Sequence, residues 1–324
     1  MRIAVVAIGG NSLIRPGQRG TLEEQRQNLV PTCEGIAAVL AAGYNVVVTH
    51  GNGPQVGDAL LRSELAAEQV VPLPLDVCGA ETQASIGYLL QQTLQEPLRR
   101  AGASRPVVTM VTQVLVSARD PAFRHPTKPV GPFYSREEAQ RRRATLGWKM
   151  VEDPQHGFRR VVASPQPKVI LELPAIRAAL ENDALVIACG GGGIPVIYRD
   201  NALVGVEAVI DKDRTSALLA WELEAELLLI STAVDHASLH YASPQEKPLP
   251  RMSPEEARRY FAEGHFPPGS MGPKIEAALT YLARGGQQVI ITSPEKIPEA
   301  LHGMAGTHIA SLGKQARRRS LHIA

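Results

Sequence analysis

Apolar and polar positions in this chain alternate between the period of buried strands and that of amphipathic helices. Residues 3–8 form a continuous apolar run that ends at Gly9-Gly10, as a buried parallel strand would. A capping box at Thr21 and Glu24 then opens a helix whose apolar positions recur up to Gly43. The run at 46–49 predicts a second strand, so the three elements form a βαβ unit with a right-handed crossover.

The alternation continues to residue 292, with one interruption. We predict further strands at 107–116, 185–189, 227–230 and 289–292, and further helices at 86–98, 176–180, 215–221, from the capping box Ser253 to Glu256 onward, and up to Arg284. Between 119 and 167 the chain carries prolines at 121, 126, 129, 132, 154, 165 and 167. This stretch predicts an insertion outside the main sheet.

Strands that alternate with helices predict an α/β fold with a mostly parallel sheet covered on both faces. The tail from Leu312, with Arg317 to Arg319, has no apolar period and is predicted to fray.

Composition narrows the class of protein. The 324 residues are 44% hydrophobic and carry a net charge of +2, so no overall field favours nucleic acid or an anionic membrane. No apolar run approaches the length of a membrane span. Cys33, Cys78 and Cys189 are far apart and lack metal or redox spacing, which predicts buried free thiols in a cytoplasmic protein.

Glycine clusters follow three of the predicted strands, at Gly9-Gly10, at Gly51 to Gly53 and at Gly190 to Gly193. In a parallel sheet these loops share the carboxyl edge, where ligands bind. Their backbone N–H groups can approach phosphate oxygens, and Pro54 suits the first turn of a helix that would favour an anion. The clusters predict a site for a phosphate or another polyanion.

Three lysines stand in unusual contexts. Lys128 and Lys274 lie among glycine and proline, and Lys212 lies between Asp211 and Asp213 just before a predicted helix. Fixed ammonium groups stabilise the charge that moves in phosphoryl transfer. The alternative for the triplet is a solvated turn with an incidental ion pair, and for each lysine a surface loop.

Other motifs leave alternatives open. The chain has no Walker-type loop, but residues 51–57 fit a loose dinucleotide-binding turn, with Asp76 as the partner of a ribose. His50 is either a base or a structural hydrogen-bonding residue at a strand end. The arginine run 141–143 is interpreted as a solvated helix face rather than a nucleic-acid patch.

Taken together, the motifs resemble those of carbamate kinases, in the amino-acid kinase superfamily. The matching strings, in the same order, are Gly9-Gly-Asn-Ser12, His50-Gly-Asn-Gly-Pro-Gln-Val-Gly57, Lys128-Pro-Val-Gly-Pro-Phe-Tyr134, Arg159-Arg-Val-Val-Ala-Ser-Pro165, Gly190 to Val196, Val206-Glu-Ala-Val-Ile-Asp-Lys-Asp213 and Gly269-Ser-Met-Gly-Pro-Lys274.

The resemblance implies a single three-layer αβα sandwich. It implies a carbamate-binding lobe at about 1–205, a nucleotide-binding lobe at about 206–312 and a homodimer. The insertion, at about 119–167, would be a small protruding subdomain that carries Lys128 over the site.

The resemblance also implies the site residues. It places the catalytic groups on Lys128, Lys212, Lys274, Asp211 and Asp213, the anion cradle on Gly9, Gly10, Asn11, Gly51, Asn52 and Gly53, and nucleotide contacts on Ser270, Met271 and Gly272. ATP or ADP and Mg²⁺ are the implied cofactors. Asp213 is the expected organiser of the lysines, and the carboxylate that contacts Mg²⁺ stays unassigned.

The implied reaction is reversible, direct transfer of the ATP γ-phosphoryl group to carbamate, without a covalent enzyme intermediate. Two segments depart from the resembled pattern. They are residues 83–88, near the expected dimer helices, and residues 231–241, which would wall the adenine pocket. The alternatives are therefore a kinase for another small carboxylate or phosphate, or a catalytically silent nucleotide-binding module.

Overall fold

The computed structural model describes residues 1–15, 17–154 and 156–310. Its helices are α1 (Leu22–Ala41), α2 (Gly53–Leu65), α3 (Leu75–Arg100), α4 (Arg136–Leu146), α5 (Leu173–Glu181), α6 (Lys212–Glu222), α7 (Pro254–Ala262), α8 (Met271–Ala283) and α9 (Ile297–Leu301). Its strands are β1 (Ile3–Ile8), β2 (Asn45–His50), β3 (Val107–Thr109), β4 (Gln113–Leu115), β5 (Lys128–Tyr134), β6 (Lys149–Asp153), β7 (Gly157–Val162), β8 (Val169–Ile170), β9 (Leu185–Ile187), β10 (Ile194–Arg199), β11 (Ala202–Gly205), β12 (Leu227–Ser231), β13 (Ser238–Leu239), β14 (Lys247–Pro248), β15 (Arg251–Met252), β16 (Gln288–Thr292) and β17 (Thr307–Ile309).

The main sheet has eight strands in the order β15-β17-β16-β12-β1-β2-β9-β3. The six strands from β16 to β3 are parallel to their neighbours, and β17 runs antiparallel to β16 at one side. The mostly parallel sheet is thus confirmed. Because parallel strands need crossovers, helices connect several of them, as α1 does between β1 and β2.

The two faces of the sheet bury separate cores. Alternate residues of β1 point to opposite sides. Val5 packs with residues of α5, α6 and α8, whereas Val6 packs with residues of α1, α3 and α9. All six residues of β1 are buried, which explains why its sequence is apolar without alternation. The three-layer αβα sandwich is confirmed.

The predicted strand 107–116 is wrong as a single element. The chain forms β3 in the main sheet and then β4, which pairs with β8 and β10 in a second sheet of four strands. Gln83 of α3 holds the break, because its side chain accepts a hydrogen bond from the Thr112 N–H at 2.7 Å and donates to the Thr112 carbonyl at 3.1 Å. A contact 29 residues away in sequence thus redirects an otherwise strand-like run.

Residues 128–162 form a unit outside the main sheet. Strands β5, β7 and β6 make an antiparallel sheet, and α4 covers it over a small core that includes Tyr134, Met150 and Phe158. Lys128 pairs with Val162, so both ends of this unit leave the body side by side. We call residues 128–162 the β5–β7 unit.

Further predictions have mixed outcomes. The capping boxes at Thr21 and Ser253 are present, and the three cysteines are free and buried. Within the described ranges, none of the helices is both long and apolar enough to cross a membrane. The predicted fraying from Leu312 onward lies outside the described residues.

Candidate active site

A cavity of about 1010 Å³ opens at the carboxyl edge of the main sheet. Its floor is made by the loops that follow β1, β2, β9 and β12, as expected for a ligand site in an open parallel sheet. The lining includes the predicted residues Gly9, Gly10, Gly51, Asn52, Gly53, Lys128, Asp211, Lys212, Asp213, Ser270, Met271 and Lys274. Five stretches distant in the chain therefore meet in one place.

The Asp-Lys-Asp triplet is the start of a buried helix. α6 begins at Lys212, three residues before its predicted start, because Asp211 is its N-cap and accepts a hydrogen bond from the Asp213 N–H at 3.0 Å. Asp213 is 3% exposed. The alternative of a solvated turn is therefore wrong.

The three lysines are joined through these two carboxylates. Asp213 accepts from Lys212 through one oxygen and from Lys274 through the other, the latter at 3.1 Å. Asp211 accepts from Lys128 at 3.0 Å. Asp213 thus pairs with two lysines, as expected of their organiser. The cluster carries three positive and two negative charges, so it presents an excess of positive charge to the cavity.

Burial and pairing oppose each other in this cluster. Burial alone would raise the pKa of Asp213, but Lys212 and Lys274 hold that pKa well below its usual range. Burial would likewise raise the pKa of Asp211, and Lys128 keeps it low. Burial lowers the pKa of Lys212, whereas Asp213 raises it. Asp213 therefore favours the ammonium form of Lys212 against the effect of burial.

The glycine cradle faces the lysines. A Cβ atom at Gly51 would lie 3.3 Å from the Gly10 nitrogen and 3.5 Å from the Lys212 side chain, so glycine lets these segments approach. Around Gly10 and Gly53 the space is open. Asn52 donates to Thr82 at 2.8 Å, which fixes its loop. The side chain of Asn11 lies outside the described residues.

Helix α8 brings Lys274 to the cavity by its first turn. Ser270 and Met271 line the cavity at the start of this helix. Gly272 does not line it, and a Cβ atom there would lie 2.9 Å from the Pro267 carbonyl oxygen. Gly272 therefore serves close packing of the helix against its preceding turn.

Another part of the cavity lining was not predicted residue by residue. It includes Thr232, Val234, His236, Ser238, Tyr241 and Phe266. All except Phe266 belong to the segment 231–241 that departs from the resembled pattern. That departure was the only signal, because no motif in the segment carries chemistry by itself. Asp76, the ribose partner of the dinucleotide alternative, does not line the cavity.

His50 is buried behind the cradle and does not line the cavity. Its Nδ1 lies 3.0 Å from the Gly51 carbonyl oxygen. Burial, with a smaller contribution from Lys212, lowers the pKa of His50 to about 4. His50 is therefore a neutral residue that shapes the β2 loop, in agreement with the structural alternative.

This burial predicts a pH-dependent stability. The unfolded chain takes up a proton on His50 as the pH falls below about 6.5, while the folded protein resists until about pH 4. The stability from the neutral imidazole is thus present above pH 6.5 and is lost as the pH falls towards 4, by up to about 3 kcal/mol. His50→Asn keeps a donor near the Gly51 carbonyl and should lose less stability on acidification. Urea unfolding of both proteins between pH 7 and 4 measures the difference, and parallel curves would contradict it.

The arginine run is only partly solvated. Arg141 is exposed, but Arg142 is 14% exposed and stacks over the Tyr134 ring at 4.3 Å. Arg143 donates to the Met150 carbonyl at 2.7 Å. The interpretation of a wholly solvated face is therefore wrong for Arg142, because aromatic rings of the β5–β7 unit cover it.

Comparison with known proteins agrees with this geometry. Residues 2–293 match the model of the amino acid kinase family. The carbamate kinase of Thermococcus kodakarensis is 47% identical over 95% of this chain and 99% of its own length, and the carbamate kinase-like protein YahI of Escherichia coli is 49% identical over 95% and 98%. The structure of Giardia lamblia carbamate kinase bound to AMP-PNP superposes with a TM-score of 0.90 at 40% identity, covering 96% of this chain and 98% of the other. The chain belongs to the amino acid kinase family, and its relatives there include carbamate kinases.

Proposed function

We propose that the protein catalyses reversible transfer of the γ-phosphoryl group between ATP and carbamate. The observation that carries the proposal is the chain of contacts from Lys128 through Asp211 to α6, and from Lys212 through Asp213 to Lys274, opposite the glycine cradle. Relatives named carbamate kinase share nearly the whole chain. Both lines support the same reaction.

The chemistry needs charge control more than proton transfer. A carbamate oxygen, already anionic, forms a bond to the γ-phosphorus, and the bond from that phosphorus to the bridging oxygen of ADP breaks. Negative charge then moves to the β-phosphate oxygen. Fixed ammonium groups stabilise this movement, and no covalent enzyme intermediate is required. Lys212 and Lys274, held by one carboxylate, are placed to supply this stabilisation.

Magnesium enters this proposal as part of the nucleotide substrate. The described residues contain no group of three or more acidic, histidine or cysteine side chains that would hold a resident ion. Mg²⁺ commonly binds one or two carboxylates together with substrate phosphates. Asp211, at 14% side-chain exposure, is more open to the cavity than Asp213, and it is the carboxylate we assign to this contact. The ion would neutralise phosphate charge when bound.

The lining supports a division of the cavity into a carbamate end and a nucleotide end. We assign the carbamate end to the cradle at Gly10, Gly51 and Gly53, which belongs to the lobe of about residues 1–205. The base of the nucleotide would occupy the wall of His236, Tyr241 and Phe266, in the lobe of about 206–312. Ser270 and Met271, at the start of α8, line the same cavity.

The test is ADP formation followed with a coupled assay. We expect turnover with ATP and carbamate and none with acetate or amino acids, and the reverse reaction with ADP and carbamoyl phosphate. If the protein turned over only with another small carboxylate or a phosphate, that compound and not carbamate would be the acceptor. Binding of ATP without turnover on any acceptor would identify a silent nucleotide-binding module and refute the proposal.

We also propose a homodimer. The support is a group of exposed apolar side chains on α2, α3 and the loop between them, which includes Leu65, Val70, Val71, Val77 and Tyr88. Exposed apolar surface of this kind marks association sites. Sedimentation equilibrium measures the mass, and a monomer at micromolar concentration would refute the dimer.

A further inference from the structure

The β5–β7 unit meets the body of the protein mainly through α2. Gly57 of α2 lies against Gly131 of β5, and a Cβ atom at Gly57 would approach the Gly131 Cα to 3.0 Å. Gly131 has a φ of +71° next to an irregularity in the pairing of β5 with β7. Backbone therefore packs directly on backbone at this point, which leaves little freedom for sliding.

A second contact joins the far end of α2 to α4. Arg142 donates to Glu64 at 2.6 Å, with exposures of 14% and 21% for the two side chains. The guanidinium also lies over the Tyr134 ring at 4.3 Å and over the Trp148 ring at 5.2 Å. Stacking fixes the orientation of a planar cation, so this pair is more ordered than an exposed one.

A third contact lies on the β7 side of the unit. Arg160 of β7 pairs with Glu207 and lies over the Trp148 ring at 4.2 Å. The neighbouring backbone is tied as well, because the Val209 N–H donates to the Ala163 carbonyl at 2.9 Å. This side connects the unit to the segment that leads into Asp211.

These contacts hold the unit that begins with Lys128. Lys128 is the first residue of β5, and its ammonium reaches Asp211 from the root of the unit. Helix α2 begins at Gly53 and Pro54 in the cavity and carries Glu64 in its last turn, roughly 16 Å away along the axis. One rigid helix thus touches both the cradle and the unit that carries Lys128.

We propose that Glu64 and Arg142 are positioning residues for the phosphoryl-transfer reaction: their ion pair holds the β5–β7 unit in the orientation in which Lys128 reaches Asp211. The inference rests on the proposed function, since it assigns a role to Lys128 in that reaction. Neither residue lines the cavity. Lys128 is the charged residue of the unit that lines the cavity, so we expect their effect to pass mainly through Lys128.

The test compares Glu64→Gln with Glu152→Gln. Glu152 pairs with Arg136 at 2.7 Å, and both lie within the β5–β7 unit, so this control removes an ion pair without releasing the unit from α2. We expect Glu64→Gln to lower kcat/KM by about 10-fold and the control to change it less than about 2-fold, in keeping with exposed ion pairs. Equal effects of the two variants would overturn the proposal.

A double variant separates positioning from general stability. In a Lys128→Met background, Glu64→Gln should cause little further loss, because the group through which it acts is already absent. Losses that multiply instead would overturn the proposal and indicate a structural role.

A second readout does not depend on activity. Modification of the Lys128 amine by an amine-reactive reagent, followed by mass spectrometry, should be faster in Glu64→Gln than in wild type and unchanged in Glu152→Gln. Unchanged labelling in Glu64→Gln would overturn the proposal. Failure of the wild type to use any acceptor would instead refute the proposed function. The labelling rates would still show whether the ion pair of Glu64 and Arg142 controls the position of Lys128.

Discussion

Replacing Lys212 by alanine is expected to lower kcat by about 1000-fold or more while the protein stays folded. Loss of one fixed group that stabilises transition-state charge costs about 100- to 1000-fold in other enzymes. The loss for Lys212→Ala is expected to lie at or above the upper end of that range, because the Lys212 side chain is only 12% exposed and water cannot readily replace its charge. Affinity for the nucleotide should fall much less than kcat.

The fold should survive because Asp213 keeps a partner. Its second oxygen still accepts from Lys274 at 3.1 Å, so no buried carboxylate is left alone. The measurements are single-turnover kinetics for the chemical step and circular dichroism for the fold. Arg214→Gln is a matched control on the same helix, where Arg214 pairs with Glu276 at 3.1 Å on the cavity rim. A rate for Lys212→Ala near that of wild type would refute the proposed mechanism.

Replacing Asp213 by asparagine is expected to damage both stability and activity. The amide is neutral and can accept through only one oxygen, so at least one of Lys212 and Lys274 loses its partner in a buried place. Removing one member of a buried ion pair costs about 3–5 kcal/mol. The melting temperature and urea-unfolding free energy measure this loss.

Asp211→Asn is the matched comparison. Asparagine caps a helix as well as aspartate, so α6 should keep its start. The lost pair with Lys128 is more exposed, and its loss should cost about 1 kcal/mol or less. If Asp211→Asn were as unstable as Asp213→Asn, the role of Asp213 as organiser of the lysines would be wrong.

The pH dependence of Asp213→Asn gives a second check. Lys212 acts as an ammonium, and burial already lowers its pKa, with Asp213 opposing that shift. Without Asp213 the pKa of Lys212 falls further. As the pH is raised, the variant should therefore lose its residual activity at a lower pH than the wild type does. The stability from ionised Asp213 is present above its ordinary pKa of 3.8 and is lost as the pH falls towards the depressed folded pKa. The stability gap between wild type and variant should therefore narrow only on strong acidification.

Prediction from sequence succeeded where the signal was local. Capping boxes at Thr21 and Ser253 start helices as expected, because their hydrogen bonds join residues only three apart and need no distant partner. The apolar run 3–8 became a central strand, since burial on both faces leaves no polar position. Glycines after β1, β2 and β9 line one cavity, because the carboxyl ends of parallel strands share one edge of the sheet.

Prediction failed where distant residues decided the outcome. Gln83 divides 107–116 between two sheets by bonding Thr112 across 29 residues. Tyr134 and Trp148 cover Arg142, which sequence alone could only place on a polar helix face. Gly272 stood in a motif at the site but serves packing, because the side of a helix that faces a ligand depends on how the helix is docked.

The sequence by itself determined the alternation of helices and strands and the edge of the sheet that would bind an anion. It also singled out the lysines and aspartates that could serve phosphoryl transfer. Only the tertiary structure decided how Asp211, Lys212 and Asp213 are used. In sequence they are three adjacent charges, which an exposed turn would leave solvated by water. In the fold, α8 brings Lys274 and the β5–β7 unit brings Lys128, so each carboxylate exchanges water for ammonium groups. That exchange is favourable only when Lys128 and Lys274, which are 83 and 61 residues away from their carboxylates, are both in place. Tertiary packing puts them there, and the local sequence around Asp211 and Asp213 gives no sign of it.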